Sequence, residues 1–229
     1  GKSSFAKIIA KEFSFLYLDS GALYRGVTLF AIENGYISDD CTIDVPGLDK
    51  AMAELDLHFG EGGTYIGERC IEKEIRSLEV AGKVSPIATV AEVRRFVDMK
   101  LREFGKKRRV VMDGRDIGTA VLPNAEVKIF LVASVSERAE RRFKENQEKG
   151  IPTDLETLTK EIQARDHYDS TREVSPLQQA EDAVRIDTTG KSIPEVVAAI
   201  KAVVLEKGYL LFSYCLPLFA VSDVDIDRE

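Results

Sequence analysis

Four short, largely apolar runs stand out along the chain. Phe15, Leu16, Tyr17 and Leu18 run up to Asp19 and Ser20; residues 109–112 run up to Asp113 and Gly114; residues 127–132 form a third run, and residues 183–186 end at Asp187. Runs this short and continuous suit strands buried on both faces. Between them the apolar spacing lengthens to a helical period over residues 23–33, 88–104, 136–148, 154–165 and 194–206. Asn34 and Gly35 stop the first helix, Ser136 is placed to cap the third, and Pro194 suits a first helical turn. Strands alternating with helices predict an α/β fold with a parallel sheet covered on both faces. Ligands of such sheets sit beyond the carboxyl ends of the strands, where Asp19, Ser20, Asp113, Arg115 and Asp116 fall.

Residues 37–87 depart from this rhythm. Residues 55–59 and 64–66 flank Gly60, Glu61, Gly62 and Gly63, a hairpin signature that reads as a small insert on the α/β core. After about residue 210 the pattern breaks again. An apolar, proline-containing stretch gives way to the acidic residues 222–229, a segment expected to be mobile or to pack apart.

Composition narrows the function classes. With 229 residues, 44% hydrophobic and 31% charged, the chain can form one large α/β domain or a core with an insert. Thirty-two Lys and Arg against 39 Asp and Glu give a net charge of −7, which argues against a broad nucleic-acid surface but allows a local basic pocket. Cys41, Cys70 and Cys215 are odd in number and widely spaced, so neither a disulfide framework nor a zinc site is expected, and a reducing, cytoplasmic setting fits best. His58 and His167 read as packing residues. No signal peptide is visible, and the most apolar stretch, 209–221, is too short to span a bilayer and is interrupted by Ser213 and Pro217. Because the chain opens at Gly1 inside a motif, we read it as a fragment or a processed chain.

Four constellations carry candidate chemistry. Gly1, Lys2, Ser3 and Ser4, directly before a helical pattern, match the end of the phosphate loop G-x-x-x-x-G-K-[ST]. In that loop backbone N–H groups cradle phosphates, the lysine reaches the outer phosphates and the hydroxyl ligates Mg²⁺; alone, the four residues fit a capped helix start equally well. Asp19, Ser20, Gly21 and Arg25 combine a strand end with an arginine one turn into a helix, suited to an anion. Asp113, Gly114, Arg115 and Asp116 crowd two carboxylates and a guanidinium beside glycine. Arg165, Asp166, Asp169 and Arg172, with Arg138, Arg141 and Arg142 upstream, place five arginines around a helix–loop–helix containing Gly150 and Pro152. Phosphoryl transfer needs such mobile cations and a lid that excludes water; a solvated face laced by i,i+4 ion pairs is the plainer alternative.

Taken together and in this order, these segments resemble bacterial cytidylate kinases, a nucleoside monophosphate kinase family. The resemblance rests on GKSS from Gly1, LDSGALYR from Leu18, EIRSLEVAGKVS from Glu74, DGRDIGT from Asp113, VKIFLVAS from Val127 and RDHYDSTR from Arg165, and runs from Gly1 to about residue 208. It implies a phosphate-loop NTPase-type parallel five-stranded sheet flanked by helices. Residues 1–37 and 89–210 would form the core with a helical lid near 137–152, residues 38–88 a β-containing nucleotide-binding insert, and residues 211–229 a tail the family does not match. It implies transfer of the γ-phosphate of ATP to CMP or dCMP, with Mg²⁺, in a monomer that binds neither nucleic acid nor membrane. Ser20, Arg25, Ser85, Arg94, Arg115, Asp116, Arg165, Asp169 and Arg172 would hold CMP. Gly1, Lys2, Ser3, Ser4, Arg141 and Arg142 would hold ATP, with Ser3 on Mg²⁺ and Lys2, Asp113 and Arg165 carrying the chemistry. The strand and glycines that precede this motif in the family do not appear before Gly1. A UMP or AMP kinase, or a non-catalytic nucleotide-binding protein, is the alternative reading.

Overall fold

A computed structural model describes residues 1–107, 109–207 and, for the backbone, 218–224. Residues 209–217, with Cys215, and the acidic residues 225–229 singled out above lie outside the described residues. In chain order the elements are α1 (Lys2–Glu12), β1 (Leu16–Asp19), α2 (Ser20–Glu33), α3 (Val45–Met52), β2 (Leu57–Gly60), β3 (Gly63–Ile66), β4 (Arg69–Cys70), α4 (Leu78–Ile87), α5 (Ala91–Gly105), β5 (Val110–Asp113), β6 (Val127–Val132), α6 (Val135–Glu148), α7 (Leu155–Thr171), β7 (Val184–Asp187), α8 (Ile193–Glu206) and β8 (Leu218–Val224). This is the mixed α/β pattern, with parallel strands, that the apolar runs predict.

The chain divides into two compact units, residues 1–17 with 107–229, and residues 18–106. The second is larger than the 38–88 insert expected, because α2 and α5 fall within it.

In the first unit the strand order is β1-β5-β8-β6-β7, with β5, β8, β6 and β7 mutually parallel along the order. β1 enters beside β5 through the Leu16 N–H, which donates to the Arg109 carbonyl at 2.8 Å. Val127, Ile129 and Leu131 of β6 face the same cluster as Phe5 and Ile9 of α1 and Val196, Ile200 and Val204 of α8, whereas Phe130 and Val132 pack with Leu177. That alternation is the period-2 geometry of a strand covered on both sides. The segment expected to pack apart contains β8, whose pairing with β5 runs from Val110–Leu218 to Asp113–Val221 and with β6 from Val127–Phe219 to Val132–Val224. It is an inner strand, so the expectation is corrected for residues 218–224.

The second unit packs α2 against α4 and α5 beside the antiparallel sheet β2-β3-β4. Gly26 permits this closeness: a Cβ there would lie 2.6 Å from a Leu57 methyl. The hairpin around residues 60–63 forms as predicted.

Helix boundaries differ in instructive ways. The cap of α6 is Ser134, not Ser136, its hydroxyl accepting the Glu137 N–H at 3.2 Å. The helix predicted over 88–104 begins at Ala91, after the separate helix α4, and α7 runs six residues past Arg165 to Thr171. Ser192 and Glu195 form a capping box on α8, with Pro194 in its first turn.

Candidate active site

Asp113 closes β5 and is almost fully buried, at 1% exposure. A carboxylate in that position requires partners, and α1 supplies two. Ser3 Oγ donates to Asp113 Oδ2 at 2.7 Å, and Lys2 Nζ stands 3.6 Å from the same oxygen. Tyr17 donates its hydroxyl to Oδ1 at 2.8 Å. The start of α1 thus presents an ammonium, a hydroxyl and the positive end of a helix dipole. Ser4 is exposed. A narrow cleft opens here, lined by Gly1, Lys2, Phe5, Arg138, Arg141 and Thr188.

Two of those arginines come from α6. Arg141 donates to the Thr188 carbonyl at 2.7 Å and to its hydroxyl at 3.2 Å, and pairs with Glu137 one turn back at 2.8 Å. Arg138 is held by both oxygens of Asp166 on α7, Nη1 donating to Oδ1 at 3.1 Å. Arg142 is exposed; with Lys149 as the larger influence, it holds the Glu145 carboxyl below the usual range.

A second group gathers after β5. Asp116 leads into a single wide helical turn, Ile117–Val121, whose Ala120 N–H donates to the Asp116 carbonyl at 2.9 Å. The spacing of Arg165 and Asp169 puts both on one face of α7, and Arg172 follows at its C-cap. Asp169 lies 3.0 Å from Arg115, 3.3 Å from Arg172 and 3.8 Å from Arg165. Arg172 also stands 3.6 Å from Asp116 and donates through Nε to the Ser175 carbonyl at 2.8 Å. Asp116, Asp169 and Arg172 are buried, Arg115 is largely so, and the Arg165 side chain is 46% exposed. Three guanidiniums therefore meet two carboxylates at a partly open site.

In the second unit, buried Ser20 opens α2 and Arg25 follows about one turn later. Gly21 lets the Arg25 head lie back across that helix start, since a Cβ would come within 3.1 Å of Asp19 Oδ1 and 3.4 Å of Arg25 Nη1. The Asp19 carboxylate takes Arg76 at 3.0 Å. Arg94 is buried on α5, donating to the Ala88 carbonyl at 2.9 Å with its guanidinium 5.3 Å from the Tyr24 ring centre. Ser85 is half-buried on α4.

The first unit thus brings Lys2, Ser3 and Asp113 into one group and Arg115, Asp116, Arg165, Asp169 and Arg172 into another. Tyr17, Thr188 and the pairing role of Asp166 escape sequence reasoning. Each works through a contact between distant elements, and a tyrosine inside an apolar run carries no local sign of its partner.

A family model described as cytidylate kinase matches residues 1–206. The cytidylate kinase of Enterococcus faecalis is 51% identical over 219 residues, 93% of this chain and 94% of that protein. Those of two Streptococcus pneumoniae strains are 53% and 54% identical over 210 residues, covering 88% of this chain and 91% of theirs. With its motifs, its α/β core and these relatives in agreement, the chain belongs to the cytidylate kinase family.

Proposed function

We propose that this protein transfers the γ-phosphate of ATP to CMP or dCMP, giving CDP or dCDP. The observation that carries this reading is the meeting of Lys2 and Ser3, at the start of α1, with buried Asp113 at the end of β5. A hydroxyl and a carboxylate 2.7 Å apart are the hard oxygen donors that suit Mg²⁺, which binds few protein groups and takes its remaining ligands from phosphates and water. Ser3 and Asp113 would hold that ion, and when bound with ATP it would neutralise charge on the outer phosphate oxygens. Lys2 and the first N–H groups of α1 bind the donor phosphates, with Arg141 and Arg142 closing on them from the lid near 137–152. Ser20, Arg25, Ser85, Arg94, Arg115, Asp116, Asp169 and Arg172 hold the acceptor, Asp116 and Ser85 reading the cytosine. Arg165, the most exposed arginine of its cluster, turns toward the transferred group.

The acceptor oxygen belongs to a phosphate that is already nucleophilic, so no strong base is needed. Positioning and charge stabilisation carry the reaction, in keeping with a site rich in arginine and poor in histidine. We read the core as a phosphate-loop kinase sheet, residues 38–88 as the acceptor-binding insert, and the protein as a cytoplasmic monomer. No helix among the described residues is long and apolar enough to cross a membrane.

ADP release from Mg-ATP, measured separately with CMP, dCMP, UMP, AMP and GMP, tests the reading. Turnover with CMP and dCMP alone is expected. Preference for UMP or AMP would assign a different acceptor, and CMP binding without ADP release would indicate a non-catalytic nucleotide-binding protein.

A further inference from the structure

Asp113 is held from two sides. Oδ2 faces Ser3 and Lys2 of α1, while Oδ1 accepts the Tyr17 hydroxyl from β1 at 2.8 Å. The plane of an aspartate carboxylate is set by a torsion with a broad energy well. Every contact that pins that plane matters, because a buried carboxylate able to turn presents its metal-facing oxygen only part of the time. A phenol on the other oxygen removes this freedom. The Tyr17 ring is itself steadied by α1, for the Lys7 ammonium lies 5.4 Å from its centre. One helix thus contributes both the hydroxyl at Oδ2 and the cation behind the ring at Oδ1.

We propose that Tyr17 is a positioning residue for the donor-side metal: its hydroxyl fixes the Asp113 carboxylate so that Oδ2 is aimed beside Ser3 before Mg²⁺ and nucleotide arrive. This rests on the assignment of Ser3 and Asp113 to Mg²⁺. Tyr17 acts through its hydrogen bond to Asp113.

Tyr17→Phe removes the hydroxyl and keeps the ring, the strand and the Lys7 contact. The decisive measurement is calorimetric binding of ADP across a Mg²⁺ titration, with no acceptor and no turnover, alongside thermal unfolding without Mg²⁺. The Mg²⁺ concentration giving half-maximal ADP binding should rise about tenfold in the variant, the scale of losing a hydrogen bond to a charged group. In turnover assays kcat should fall while KM for CMP stays unchanged. An unaltered Mg²⁺ requirement, with or without a lower melting temperature, would overturn the inference and reduce Tyr17 to a structural contact, leaving the kinase reading intact. ADP binding by the unsubstituted protein that ignores Mg²⁺ altogether would overturn the assignment of Ser3 and Asp113 to Mg²⁺ and the inference with it.

Discussion

Burial of Asp169 is tolerable because Arg115, Arg165 and Arg172 converge on it, yet the three arginines are not equivalent. Arg172 is enclosed and serves both Asp169 and Asp116, so Arg172→Ala withdraws a cation from two buried carboxylates at once. Its expected cost is about 3 kcal/mol, lowering the melting temperature by roughly 10 °C, which differential scanning calorimetry would register. Arg165 is half exposed and sits farther from Asp169. Arg165→Ala should leave unfolding within about 2 °C of the parent while reducing kcat on the order of a hundredfold, as read by ADP release. That these residues gather is legible in sequence, since arginine and aspartate packed beside glycine at a strand end are costly unless partnered. The partners are not. That Arg138 reaches Asp166, 28 positions away, depends on how α6 and α7 pack.

The helix α7 shows why periodicity fails at an element's end. Residues 166–171 carry no apolar stripe, so the pattern stops at Arg165. The backbone continues because Asp166 and Asp169 find arginines, even though Ser170 and Thr171 return their hydroxyls to carbonyls one turn back, at 2.6 and 2.7 Å, a bond that weakens a helix slightly. Helix α4 was illegible for the opposite reason: Gly82 and Pro86 lie inside it, and tertiary packing overrides their poor propensity. Helix starts respond to pH. The Asp154 carboxyl, bonded by the Thr157 hydroxyl and N–H, and the Glu195 carboxyl, bonded by the Ser192 hydroxyl and N–H, lie below their ordinary values of 3.8 and 4.5. Stability from such depressed groups is complete above the ordinary values and drains away as pH falls through the lowered ones. The melting temperature should therefore hold between about pH 7 and 5 and drop below about pH 4. Asp154→Asn with Glu195→Gln, neutral at every pH, should make the acid decline shallower in a melting series.

At the scale of the whole molecule, alternation of strands and helices made the α/β class readable, whereas the sheet's order was not. Parallel register joins segments far apart in sequence and leaves no local trace. β8 is the sharpest case: it lies beyond the residues the family model matches, yet pairs with β5 and β6 on both sides. Ala220, in register with Met112 and Lys128, offers a test. Ala220→Pro removes a ladder donor from an inner strand and should cost about 3 kcal/mol, visible as a lower denaturation midpoint in urea.

The two buried aspartates among three arginines bear on a wider question, how a protein of net charge −7 receives anionic nucleotides. Long-range attraction is of little help, for the overall field repels them and is screened within about 8–10 Å in physiological salt. On the acceptor site proposed above, the arginine cluster would work like an ion-exchange resin already loaded with its own counter-ions. An arriving phosphate would trade places with carboxylates for the guanidinium contacts, so selection would fall on the ligand whose oxygens fit the vacated directions, and total charge would count for less than shape.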